Sequence, residues 1–391
     1  MLASTKSISD KRPISQRVPE LDGIRGLAIL LVILHHRFPD HGLLRRIGEA
    51  GWIGVDLFFV LSGYLITVVL LDAVGKPYYY RNFIARRTLR ILPLYYLCLV
   101  LFIVATRLSA NAELWDSLQR WGGAGWFALY LGNFHIAWVN AMPPIFSLTP
   151  LWSLQVEEQF YVLFPLVVSL LSIQNLCRML VGCVIAAPLL RICLTLFVPD
   201  SAEACYVLMP CRMDALALGA LLAASSYSRP ALFPNGFFMR LCGAIGGIAI
   251  LVAVFFGWLD LHSPFVRSLG YSMIDLAFAV VLATVISLPG SNLTALLRQR
   301  PLVYTGKISY GLYLLHVPAS WIALTTISRL VSTDVQRYWI FSIPITFAAS
   351  FLAAAISWRF LEGPMARLKE RVTSTLQPAA ESKALFSSAS N

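Results

Sequence analysis

Charge is scarce in this chain. Only 13% of its 391 residues are Asp, Glu, Lys or Arg, where a soluble domain carries about 25%. Apolar residues make up 58%, and the mean hydropathy is +0.71. No soluble fold of this length hides so much apolar surface, so the soluble enzyme and binding-module classes are excluded. Cysteine is sparse as well: seven residues, scattered, with no CxxC pair. That leaves neither a disulfide framework nor a metal site, and Cys205 and Cys211, which share one loop, are not expected to pair. There is no internal repeat, which removes the support for an inverted-repeat transporter. A cleavable signal is also missing. The polar N-terminus runs straight into the first apolar run, which is expected to act as the insertion signal.

Acidic residues are outnumbered, 20 against 31 Lys and Arg, for a formal net charge of +11. In a soluble chain that excess would suggest nucleic acid. Here the basic residues gather in loops, where they meet anionic lipid on the cytoplasmic side. Nucleic acid is not an expected partner.

What the chain has in abundance is long apolar runs. Ten read as spans, over 21–38, 52–74, 91–107, 152–172, 179–198, 213–228, 238–258, 271–289, 308–330 and 338–360. Each approaches the ~20 residues needed to cross a hydrocarbon core of ~30 Å. The expected fold is therefore an all-α, polytopic membrane bundle of about ten helices. An eleventh run, 125–138, is short and aromatic and reads as interfacial or re-entrant. With both termini in the cytoplasm, the basic residues of the loops before the third and ninth spans (Lys76, Arg81, Arg86, Arg87, Arg90, Arg298, Arg300 and Lys307) lie inside, as the positive-inside rule requires. So do Arg367, Lys369 and Arg371. The organisation reads as a tail over 1–19, a membrane domain over 20–365, and a Ser/Ala-rich tail over 366–391 that is expected to be disordered.

An ionisable residue inside a span is costly and marks function by default. In ELDGIRGLAILLVILHHRF, Arg25 and His36 are 11 residues apart. That puts them only ~20° off one helix face and ~16 Å apart along the axis. One stripe thus carries a cation low and an imidazole high, which suits a long ligand with an anionic head and a reactive far end. A snorkelling Arg25 and an interfacial His36 would look the same. His35 points ~100° away and reads as a bystander. Asp56, near the outer end of GWIGVDLFFVLSGYLIT, lies at the depth of His36 and fits an orienting carboxylate. It also fits an ion pair with Arg37, Arg45 or Arg46. Gly54, Ser62 and Gly63 read as close-packing residues.

Arg86, Arg87 and Arg90 cluster before the third span, and guanidinium forks match phosphate oxygens. Plain membrane anchoring is the alternative. In LTPLWSLQVEEQFYVLFP, Glu157 and Glu158 sit below the outer end of the fourth span and fit acid/base work or acceptor binding. Trp152, Gln159 and Tyr161 would line such a site. Arg212 and Asp214 fit either a local ion pair or an extension of the acceptor site. His316 lies about mid-membrane, where ligand contact and an interhelical hydrogen bond compete. Glu362, at the end of the last span, reads as structural. His41, His135 and His262 are left out.

Seven strings in this order resemble the membrane acyltransferase-3 family: ELDGIRGLAILLVILHH, GVDLFFVLSGYLIT, FIARRTLRILPLYY, LWSLQVEEQFYVLFP, CRMDALALGALLA, KISYGLYLLH and RFLEGPM. They run from about residue 20 to about residue 365. The family includes O-antigen, exopolysaccharide and Nod-factor acetyltransferases and macrolide acyltransferases. The resemblance implies ten core helices, an acyl-CoA donor, no metal, and a hydroxyl acceptor on a surface carbohydrate. It implies that Arg25 and His36 are essential and that Arg86, Arg87 and Arg90 match the family's arginine motif. Many relatives carry a C-terminal extracytoplasmic hydrolase-like domain. This chain is expected to lack it, so acceptor hand-off in those fused enzymes does not carry over.

The resulting expectation is an O-acyltransferase of the bacterial inner membrane, most simply an O-acetyltransferase. Acyl-CoA phosphates rest on Arg25, Arg86, Arg87 and Arg90, and the thioester reaches His36. His36 deprotonates the acceptor hydroxyl, or is itself acylated first. Asp56 orients His36, and Glu157 or Glu158 binds the acceptor. Membrane lipids are expected partners, and self-association is left open. A transporter or flippase of a small anion or lipid-linked sugar would explain the buried charges too. The ordered motifs and the Arg25–His36 spacing favour the enzyme.

Overall fold

A computed structural model describes residues 18–36, 42–108, 112–228, 236–261, 263–335 and 338–368. Most of both expected tails, and His41 and His262, lie outside the described residues. The described chain is all helix, without a strand, as lipid demands: a helix satisfies every backbone polar group within its own segment. In order the helices are α1 (Pro19–His35), α2 (Gly42–Ala50), α3 (Ile53–Ala73), α4 (Tyr79–Leu108), α5 (Ala112–Trp121), α6 (Gly125–Ala128), α7 (Gly132–Val139) and α8 (Leu151–Leu170). There follow α9 (Ile173–Phe197), α10 (Ala202–Val207), α11 (Met209–Ser228), α12 (Gly236–Phe256), α13 (Tyr271–Ser287), α14 (Arg300–Lys307), α15 (Ser309–Leu330) and α16 (Trp339–Ser357). Two π-helical turns, Val266–Gly270 and Trp358–Glu362, adjoin α13 and α16.

Among the described residues, seven helical runs are long and apolar enough to cross a membrane, and they contain α3, α4, α9, α11, α13, α15 and α16. The chain is a multi-pass membrane protein. Three further expected spans fall outside that count. The helix α1 has only 17 residues and opens on Glu20, Asp22 and Arg25. The helix α8 has 20 residues and carries Gln155, Glu157, Glu158 and Gln159. The helix α12 has 21 residues, of which the fully described stretch is Arg240–Phe256. The first two are the helices that carry predicted chemistry. The basic stretch before the third span, expected as a loop, is instead the first part of α4.

Close approach of backbones holds the centre. The helix α3 packs on α11 through a reciprocal glycine contact. A Cβ on Gly63 would stand 2.0 Å from the Leu216 carbonyl oxygen, and one on Gly219 1.9 Å from that of Val60. Small residues serve this role where no hydrophobic force drives helices together. On the rim, Ile185, Leu189, Leu251 and Leu352 are exposed, as befits a surface solvated by lipid tails.

Residues 125–138 form two short helices, α6 and α7, rather than a span. Their buried polar groups are met by side chains. The Asn133 amide N–H donates to Gln155 Oε1 at 2.6 Å, and Gln159 Nε2 donates to Asn133 Oδ1 at 2.9 Å and to the Tyr130 carbonyl at 3.1 Å. Tyr95 of α4 donates to the Phe127 carbonyl at 2.8 Å. Gln159 therefore holds this segment against α8 and lines none of the described cavities, contrary to its expected place in an acceptor site.

Candidate active site

The arginines of α1 and α4 converge on a cavity of about 100 Å³, lined by Arg25, Ser62, Arg87, Arg90, Glu157 and Tyr161 among others. A second cavity, of about 380 Å³, shares Arg25, Arg90 and Tyr310 with the first and adds Lys307, Trp358 and Glu362. Arg25 donates to Asp22 at 3.0 Å. The Arg87 guanidinium lies 5.1 Å from the centre of the Tyr161 ring. Arg86 parts from the cluster: it is exposed and lines neither cavity. Consecutive helical residues point ~100° apart, so Arg86 and Arg87 cannot both face inward.

Glu157 belongs with these arginines and not with His36, which corrects the expected placement. Its carboxylate accepts from the Ser62 hydroxyl at 2.6 Å and the Tyr161 hydroxyl at 3.1 Å. The helix α8 starts at Leu151, so Glu157 stands ~9 Å along its axis, past the depth of the imidazole. Tyr161, one turn further, follows it. Glu158 lines none of the described cavities, and its Oε1 is buried without a hydrogen-bond partner among the described residues. Ser62, read from sequence as a packing residue, is a working contact, because neighbouring Gly63 takes the packing face.

His36 lines a separate cavity of about 370 Å³ together with Trp52, Phe146, Trp152, Tyr206 and Tyr313. Trp152 lines this cavity, apart from Glu157 and Tyr161, which line the arginine one. His36 Nδ1 is 2.8 Å from the Val32 carbonyl and 3.3 Å from His316 Nε2. His316 Nδ1 is 2.8 Å from the Tyr313 carbonyl and 3.1 Å from that of Leu312. Carbonyls only accept, so both Nδ1 atoms carry hydrogen, and His316 Nε2 accepts from His36. That tautomer puts the basic lone pair of His36 on Nε2. The two rings meet edge to face at 4.9 Å. His35, whose Nδ1 lies 2.9 Å from the Gly48 carbonyl, lines this cavity too.

The arginine cavity and the histidine cavity share two wall residues, Val55 and Tyr313. The three cavities thus form a series from Lys307, past Arg25, to His36. Arg25 and His36 occupy opposite parts of it, as their spacing on α1 requires.

Asp56 does not orient His36. It is fully buried and forms an ion pair with Arg212, 1% exposed, which lies 4.2 Å from the centre of the Tyr271 ring. The partner shown is Arg212 rather than Arg45 or Arg46, and Arg37 lies outside the described residues. Nor does Asp214 pair with Arg212: it binds Arg191 at 2.8 Å and accepts from Ser272 at 2.6 Å. Asp275 is also fully buried, with no hydrogen bond to either oxygen among the described residues. Neither Asp56, Asp214, Arg191, Arg212 nor Asp275 lines a described cavity. Sequence reasoning missed Arg191 and Asp275, although each is the only charged residue in its expected span. Among the described residues, no group of three or more His, Cys, Asp or Glu could hold a metal ion.

A family described as an acyltransferase domain, the acyltransferase-3 family, matches residues 18–360. The chain is 31% identical over 363 residues to the peptidoglycan O-acetyltransferase OatA of Listeria monocytogenes, covering 89% of this chain and 56% of that one. It is 30% identical over 370 residues to the O-acetyltransferase OatA of Staphylococcus aureus, covering 89% and 57%. It therefore spans just over half the length of these relatives. No solved structure matches it.

Proposed function

The chain belongs to the membrane acyltransferase-3 family, and from that premise we propose that it moves an acyl group, acetyl in the simplest case, from a cytosolic acyl-CoA to a carbohydrate hydroxyl across the membrane. One observation carries the reading: the series of cavities that starts among Lys307, Arg25, Arg87 and Arg90 and ends at His36. A donor with phosphates at one end and a thioester at the other matches that order of charge and imidazole. The excess of basic loop residues on the arginine side supports both termini being cytoplasmic, in a bacterial inner membrane.

The chemistry then follows from the His36 tautomer. Nε2 takes the proton of the acceptor hydroxyl as its oxygen bonds to the acyl carbon. The carbon–sulfur bond breaks, and His36 passes the proton to the departing thiolate, leaving the ester and free CoA. His316 holds the Nδ1–H throughout and takes the positioning role first expected of Asp56. Arg25, Arg87 and Arg90 hold donor phosphates, and Glu157, hydrogen-bonded to Ser62 and Tyr161, braces that site. Trp152, Tyr206 and Phe146 offer aromatic faces to the acceptor sugar. The relatives' names point to peptidoglycan as the acceptor; lipopolysaccharide, exopolysaccharide and lipo-oligosaccharide share the same hydroxyl chemistry.

The test uses the full chain in liposomes with labelled acetyl-CoA and a panel of peptidoglycan, lipopolysaccharide and exopolysaccharide. Label in an ester on one glycan is the expected result. Unbroken thioester across the whole panel would overturn the reading and leave a transporter.

A further inference from the structure

The donor and acceptor cavities have two lining residues in common, Val55 of α3 and Tyr313 of α15. Both are 7% exposed. The Tyr313 ring is locked: its hydroxyl is 2.5 Å from Ser153 Oγ and donates to the Pro150 carbonyl at 3.0 Å. The Phe58 ring packs against it edge to face at 6.2 Å. A ring tied to the start of α8 by its hydroxyl and wedged by Phe58 cannot swing aside without breaking those bonds. Val55, one helical step from Asp56, sits on a stretch of α3 anchored by the buried pair with Arg212. Both residues at the junction of the two cavities are therefore held in place.

The chamber beyond, of about 370 Å³, is larger than a two-carbon acyl group, so its volume alone does not set the acyl chain length.

We infer that Val55 and Tyr313 form a neck that every acyl group must thread on its way to His36, and that this neck restricts the donor to short-chain acyl thioesters. This rests on the acyltransfer reading and adds a donor class and a place where it is selected. Each methylene that must squeeze past a locked ring meets a penalty of the size hydrophobic pockets impose, about tenfold or more per group.

The experiment compares acetyl-, butyryl- and hexanoyl-CoA on the glycan that the wild-type protein acylates, reading kcat/KM for each donor. Wild type should prefer acetyl-CoA. Val55→Ala and Tyr313→Ala should each raise the hexanoyl-to-acetyl ratio by about tenfold or more. Tyr313→Phe keeps the ring but removes its hydroxyl tether to Ser153 and Pro150, and should raise the ratio by less than Tyr313→Ala does. Val55→Phe should lower kcat for acetyl transfer more than it weakens CoA binding, since Arg25, Arg87 and Arg90 hold the phosphates. Should Tyr313→Ala misfold, Val55→Ala carries the test alone. A ratio within about twofold of wild type in the alanine variants overturns the neck and leaves the acyltransfer reading standing. Failure of the wild type to acylate any glycan from any donor overturns both.

Discussion

Two clusters of buried charge lie in this bundle, and they follow opposite plans. One gathers Arg25, Arg87, Arg90 and Glu157 around open space. The other packs Asp56, Arg191, Arg212, Asp214 and Asp275 together with no cavity among the described residues. In the first, guanidiniums outnumber the carboxylate that faces them, so a visiting anion completes the site. In the second, Asp56 pairs with Arg212 and Asp214 with Arg191, Tyr271 covers Arg212, and Asp275 lies buried beside them without a hydrogen bond among the described residues. A buried charge points to a ligand where it faces open space; where it is packed against another helix, it points to assembly.

The comparison can be broken at several points. The largest effect should come where the open series ends. His36→Ala should cut transfer by about 10²–10⁴-fold, the usual contribution of a general base, with an unchanged thermal midpoint in detergent. Wild-type turnover in that variant would end the mechanism. Next comes the sealed cluster. Arg212→Met strands the Asp56 charge and should cost about 3–5 kcal/mol, whereas Arg212→Met with Asp56→Leu should recover most of it. Unfolding of the three proteins in one detergent decides this, and equal loss in single and double variants would show that the pair is not the unit. In the open cluster, Arg87→Ala should leave stability near wild type and raise the donor Kd by about ten- to a hundredfold, the worth of hydrogen bonds to a charged group. An unchanged donor affinity would remove Arg87 from the site. The smallest effect belongs to Arg86→Ala. Its side chain faces outward, and donor affinity should move by less than about twofold; a loss as large as that of Arg87→Ala would reunite the two arginines.

Depth was legible in the sequence and direction was not. Counting along α1 placed Arg25 and His36 at opposite parts of one path, because two residues on a single helix have a fixed relation. Relations between helices have no such ruler. Asp56 and His36 share a depth, yet the Asp56 carboxylate turns to α11 and meets Arg212. Arg212 and Asp214 are two residues apart, so they diverge by ~200° and pair with different helices. Glu157 was assigned to the His36 end by counting from the start of α8, whereas Ser62 on α3 shows how far along it stands. The partnership of His36 with His316 crosses 280 residues and leaves no trace in local pattern. Arg191 and Asp275 were different: a lone charge in an apolar run is a visible signal, and it was passed over.

The polarity of α8 bears on how the protein is made. A helix carrying Gln155, Glu157, Glu158 and Gln159 gains little from lipid alone, since each charge near a helix centre costs about 2.5–3.5 kcal/mol at insertion. Its hydroxyl and amide companions, Ser62 on α3 and Asn133 on α7, both emerge earlier from the ribosome. The translocon thus meets α8 when its solvating surfaces are already in place, and a chain with those two residues swapped to the other side of α8 would release this helix into the wrong phase.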